Sequence, residues 1–154
     1  MMRRFLFSTG VALVFLVGVG PTRTSATPKP TPVIDVTPDS DLSDGQTVQV
    51  SGTGFQEQQI QIAECGDGDL SAHPAVGPVC TYFTYAVDVQ SDAEGNFGPV
   101  AFTVAKAFTG TRYVNGNHPV PTSYDCAPLN DCYIRAVSLT RGYRAATHSL
   151  TFLP

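Results

Sequence analysis

Val36-Thr37-Pro38-Asp39-Ser40-Asp41-Leu42-Ser43-Asp44-Gly45-Gln46-Thr47-Val48-Gln49-Val50-Ser51-Gly52-Thr53-Gly54-Phe55 is the stretch whose reading decides the fold. A short strand, Val33 to Thr37, runs into it. A turn follows, built on Pro38, Asp39, Ser40 and the pair Asp44-Gly45. A second strand then alternates Val48 and Val50 with Gln49 and Ser51, and Gly52 and Gly54 punctuate its end. Period-two alternation bounded by Pro, Asp and Gly is the pattern of a half-buried strand between turns.

Outward from this stretch the same pattern recurs, and no segment shows a sustained helical period. In Gln59 to Glu64, Ile60 and Ile62 alternate with glutamines. Tyr82 to Val89 places Phe83, Tyr85, Val87 and Val89 on one face, and the turn Ser91 to Asn96 leads into Phe97 to Ala105 as the second arm of a hairpin. Cys132 to Thr140 and Ser149 to Leu153 bring the predicted strands to seven, with Leu150 and Phe152 pointing inward. The expected fold is an all-β antiparallel sandwich, each strand burying one face. Gly66 to Val79 and Thr109 to Asp125 read as long irregular loops. Such loops in a compact domain are functional or pinned. Both abut cysteines, so they are expected to form the walls of a cleft at one end of the sandwich.

The ends and the charge bound the partners. Arg3-Arg4 followed by the apolar run Phe5 to Gly20 reads as a secretory signal peptide, residues 1–26, cut after Thr24-Ser25-Ala26. The run is too short for a comfortable membrane span. Residues 27–32, Thr27-Pro28-Lys29-Pro30-Thr31-Pro32, read as a stiff extended linker. Residues 33–154 are long enough for one domain with one core. Without Arg3, Arg4 and Arg23, six of the nine Lys and Arg remain against 13 acidic residues, a formal charge of about −7. No basic stripe exists to displace counterions from phosphates, so the chain itself is not expected to bind nucleic acid. It reads as a secreted, extracellular monomer without a membrane span.

The opening run V-T-P-x-S-x-L-S-D-G-x-x-V-x-V-x-G-x-G resembles the start of the mature neocarzinostatin-type apoproteins, secreted carriers of enediyne antibiotics. Further features keep the family's order: Cys65 after the third strand, Cys80 ahead of the strand leading to Ser91-Asp92-Ala93-Glu94-Gly95, and Phe108-Thr109-Gly110-Thr111-Arg112-Tyr113 for the family's F-x-G-x-x-F. Tyr124-Asp125-Cys126 with Cys132 matches its D-C-x4-C element with one extra residue. The resemblance implies an immunoglobulin-like seven-stranded sandwich, a small disulfide-stapled subdomain, and a cleft between them for a non-covalently held chromophore. Four cysteines allow three connectivities. Sequence proximity and the resemblance favour Cys65 with Cys80 and Cys126 with Cys132. Carried over by position, the cleft would be lined by Phe83 or Tyr85, by Tyr113, and by Tyr133 and Val137. The family's ligand-contacting serine falls on Val137, or on Ser138 with a one-residue slip, and its stacking tryptophan falls on Asp67.

Other chemistries are weaker in the sequence. No cofactor, metal or catalytic group is expected. The four cysteines lack a C-x-x-C pair, and in an oxidising compartment they read as disulfides rather than as zinc ligands with His73 and His118. Asp67 and Asp69 in a Gly-Asp turn lack the ligand run of a calcium loop. His118, Ser123, Asp125 and His148 lack the G-x-S-x-G elbow of a hydrolase. Arg112 and Arg135 offer to meet an anionic group at the cleft, but read as exposed strand or loop positions. The expected function is a carrier of a small apolar or aromatic molecule; the alternative is an extracellular structural or adhesive module without a ligand.

Overall fold

The computed structural model describes residues 29–67, 77–114, 118–128, 130–140 and 144–154; the predicted leader, residues 1–26, and the start of the predicted linker, 27–28, lie outside them. Seven strands make a sandwich. One sheet holds β1 (Val33–Thr37), β2 (Thr47–Thr53) and β6 (Phe97–Thr103), in the order β1-β2-β6. The facing sheet is built on β3 (Gln59–Gly66), with β9 (Cys132–Ser138) and then β10 (Ala145–Ser149) on one side. β5 (Val87–Gln90) and β4 (Val79–Cys80) share the other side of β3, end to end. Beyond β4 the sheet continues through β7 (Ala107–Val114) and β8 (His118–Asp125). This is an immunoglobulin-like antiparallel β-sandwich extended at one end by β4, β7 and β8.

Strand parity sets the core. Val48 and Val50 of β2 are fully buried between exposed Thr47 and Gln49, and Val36↔Val50 and Val48↔Phe102 stack across the small sheet. Ile60 and Ile62 of β3 meet them from the large sheet with Ile134 and Ala136 of β9. Leu42, Phe55, Leu150 and Phe152 close the ends of the same cluster. Each such side chain contributes about 1.5–3 kcal/mol on burial. The Cys65–Cys80 and Cys126–Cys132 disulfides both form.

Three predicted elements differ. Tyr82 to Val89 is not one strand. The Thr81 carbonyl accepts the N–H groups of Thr84 and Tyr85 and the Thr84 hydroxyl, fixing a turn over residues 82–85, so the strand begins only at Val87. Nor does it make a hairpin with the next strand: β5 pairs with β3 while β6 pairs with β2 in the other sheet. Residues 109–125 are not an irregular loop, because β7 and β8 form a long ribbon in register from Ala107↔Asp125 to Val114↔His118. Pro119 and Pro121 disguise β8 in the sequence. They are tolerated because β8 is an edge strand, where a missing N–H costs no ladder bond. The last strand is shifted: β10 ends at Ser149, and Leu150 and Phe152 plug the core from a following segment bridged to Leu42.

Candidate functional site

Register gathers three of the five sequence-predicted residues. Directly paired residues share a face of the sheet, and so do residues two apart along a strand. Cys65 pairs with both Cys80 and Tyr133, Cys80 pairs with Thr111, Ala63 with Arg135, and Gln61 with Val137. Tyr113 lies two residues beyond Thr111. Tyr113, Tyr133 and Val137 therefore lie on one face of the large sheet, the face opposite Ile60, Ile62 and the core, with the Cys65–Cys80 bridge and Arg135 among them. Tyr113 is 39% exposed, Tyr133 half-buried and Val137 buried at 8%. Phe83, in the turn that follows Cys80, is 72% exposed.

Tyr85 does not join them. Its ring packs 6.3 Å from Phe102 of the small sheet, and its hydroxyl donates to Glu64 Oε2 at 3.2 Å. Period two along β3 places Glu64 inward with Ile60 and Ile62, and it is fully buried. Burial pushes its carboxyl up to about 7, against the pull of the Ala105 N–H and the Tyr85 hydroxyl that hold Oε2.

On the outer face, the Tyr133 hydroxyl donates to Asp67 Oδ1 at 2.6 Å. Burial, reinforced by that carboxylate, drives the hydroxyl's pKa well above the ordinary tyrosine range, and the charge of Arg135 pulls the other way. Asp67, where the resemblance places a stacking tryptophan, is thus tied to the site rather than turned away from it. A shallow depression of about 220 Å³ lies on the ribbon between Ala107, Phe108, Thr109, Ser123 and Tyr124. None of the five sequence-predicted ligand residues lines it. The other expected wall, Gly66 to Val79, lies mostly outside the described residues.

The ribbon is seated by close contacts. Phe108 and Tyr124 point from its inner face with ring centroids 5.8 Å apart, and the Tyr124 hydroxyl donates to Asp131 at 2.5 and 2.6 Å from its two carboxylate oxygens. A Cβ on Gly66 would run into the Tyr124 ring, and one on Gly110 into the Cys80 carbonyl, so only glycine admits these approaches.

Residues 34–152 match the model of the neocarzinostatin family. The chain belongs to this family. Among solved structures it is similar to macromomycin, at 27% identity over 80% of this chain and all of that one, with a TM-score of 0.60. It is also similar to apokedarcidin in solution, at 26% identity over 80% of this chain and all of that one, with a TM-score of 0.53. A search of curated protein sequences found no match.

In this neocarzinostatin-family chain the other candidates go elsewhere. His118 and Ser123 have opposite parity on β8; Ser123 Oγ lies 3.3 Å from Thr109 Oγ1, and Asp125 accepts the Ala127 N–H at 3.0 Å. His148 Nε2 sits 3.0 Å from Asp39 Oδ2. Among the described residues no three His, Cys, Asp or Glu side chains converge as metal ligands; His73 and Asp69 lie outside them. Sequence reasoning passed over Glu64 and assigned Arg135 an exposed position. For both, strand parity carried the signal.

Proposed function

We propose that this protein is an exported carrier that holds a small apolar or aromatic molecule against the outer face of its large sheet, by shape and burial and without covalent chemistry. One observation carries the reading: Tyr113 from β7 and Tyr133 and Val137 from β9, remote in sequence, share a face with the Cys65–Cys80 bridge. A half-exposed aromatic beside buried apolar surface has area to give to a ligand. Phe83, in the turn after Cys80, leaves most of its ring in solvent and is free to serve as an adaptable wall. Tyr85 supports the turn that presents Phe83. Residues 1–26 act as the export signal and 27–32 as the spacer before the domain, a setting in which two disulfides persist. The family resemblance favours an enediyne-like chromophore, and on that reading antibacterial action and DNA damage belong to the released ligand.

The test is a fluorescence titration with the neutral aromatic N-phenyl-1-naphthylamine, paired with melting curves. Wild type is expected to bind. Tyr113→Ala is expected to weaken binding by about 1–3 kcal/mol with little loss of stability, because the lost area is shared with ligand. No binding by wild type, together with a loss of about 3–5 kcal/mol in Tyr113→Ala stability, would sink the carrier and leave the structural module.

A further inference from the structure

We propose that residues 82–85 form a proton-gated flap over Glu64, closed while the carboxyl is neutral and displaced once it ionises, so that water reaches the charge. Such a flap would operate whether or not the outer face takes a ligand. Thr81 is its fixed end. This residue is buried and bound to the backbone of β3 in both directions: its N–H donates to the Glu64 carbonyl at 3.0 Å, and its Oγ1 accepts the Glu64 N–H at 3.0 Å. From there the chain doubles back, with the Thr81 carbonyl accepting the N–H groups of Thr84 at 3.0 Å and Tyr85 at 3.2 Å. The turn ends with the Tyr85 hydroxyl on Glu64 Oε2.

The walls around Glu64 are not equally firm. Ile134 of β9 is its partner across the large sheet, and the Ala105 N–H holds Oε2 at 3.0 Å from the short link between β6 and β7. Residues 82–85 pair with no strand among the described residues, and Phe83, Thr84 and Tyr85 are all exposed. They are the wall that yields first, because local opening follows the segments with few buried contacts and no ladder. Oε1 is buried without a hydrogen-bond partner among the described residues, which a neutral carboxyl tolerates far better than a carboxylate. The titratable groups that face Glu64 are Tyr85 from the turn and Asp44 from the β1–β2 connection, and Asp44 is itself held by the Lys106 N–H. Neither brings a positive charge. The inner face of β3 adds Ile60, Ile62 and Gly66, and β9 adds Ile134. A charge formed here is therefore relieved by hydration rather than by pairing, and water enters where the wall yields. Burial lifts the carboxyl to about 7, which puts the change in the neutral range.

Amide hydrogen exchange, followed by NMR on the folded disulfide-bonded protein, reads the flap at the N–H groups of Thr84 and Tyr85. The closed flap keeps the proton up to about 7 and the open one releases it near the ordinary 4.5, so protection of both amides should fall by up to about a hundredfold between pH 5 and pH 8. It should stay below that of Val48 and Val50 in the central strand β2, which exchange only when the whole sandwich opens. Glu64→Gln keeps the shape and removes the titration, so its profile should be flat; retained protection at Val48 and Val50 shows that the variant is folded. Tyr85→Phe should loosen the flap at every pH, since it lacks the hydroxyl that Glu64 holds. A flat wild-type profile, an undiminished slope in Glu64→Gln or unchanged protection in Tyr85→Phe would overturn the proposal. So would equal protection of the turn and of β2, which would mean that the turn opens only with the whole sandwich.

Discussion

A carboxyl group sealed inside an apolar sandwich makes folding depend on pH, and Glu64 supplies one. Its Oε2 accepts the Ala105 N–H at 3.0 Å and the Tyr85 hydroxyl at 3.2 Å, while Oε1 is buried without a hydrogen-bond partner among the described residues. Burial, aided by the nearby negative charge of Asp44, raises its pKa to about 7 from an ordinary 4.5. The folded chain therefore keeps a proton that the unfolded chain releases, so this group's contribution falls as pH rises from about 4.5 to about 7 and is level outside that window. The effect is at most about 3 kcal/mol. Denaturant unfolding of wild type and Glu64→Gln at pH 4.5, 6 and 7.5 should show the gap between them change in that direction. Parallel curves would contradict it. Asp39 acts with the opposite sign: its bond to His148 lowers its pKa, so its share is lost in acid.

The ribbon of β7 and β8 joins the sandwich through little backbone pairing, with Cys80↔Thr111 the register pair between β4 and β7. The Cys65–Cys80 bridge fixes β4 to β3 directly beside that pair. A 15-residue separation gives about 3 kcal/mol of stabilisation in the chain-entropy account, and the 6-residue separation of Cys126–Cys132 about 2. The double variant Cys65→Ser/Cys80→Ser is expected to lose roughly the larger amount, with amide exchange rising first in β7 and β8. Uniform exchange across both sheets would show that the ribbon is held by Phe108, Tyr124 and Gly66 instead. The sandwich strands were legible where alternation ran unbroken, as in Val48 and Val50 or Ile60 and Ile62. The same rule misled at Tyr82 to Val89, because the Thr81 carbonyl captured two N–H groups and reset the parity, which carried Tyr85 away from the outer face. β8 was hidden by Pro119 and Pro121, since nothing local states that a strand will lie at an edge. Tyr113, Tyr133 and Val137 were placed by resemblance, and their common face became visible only through pairings remote in sequence.

Charge distinguishes the molecule from any cargo that acts on DNA. With a formal charge of about −7 in residues 27–154, the ligand-free protein is expected to give no complex with duplex DNA in a gel shift at physiological salt. Tight binding that weakens steeply with salt would reveal a basic face. Acidity also bears on how copies of the chain meet one another, and there the proline-bearing margin of the large sheet has its own consequence. An open sheet border is a template on which a second chain can add a strand, the first step toward fibrils and swapped dimers. Along β8, Pro119 and Pro121 lack N–H donors on alternate residues, so an incoming strand would find interrupted rungs where it needs a continuous ladder. The margin that completes the ribbon is thereby a poor seed for polymerisation.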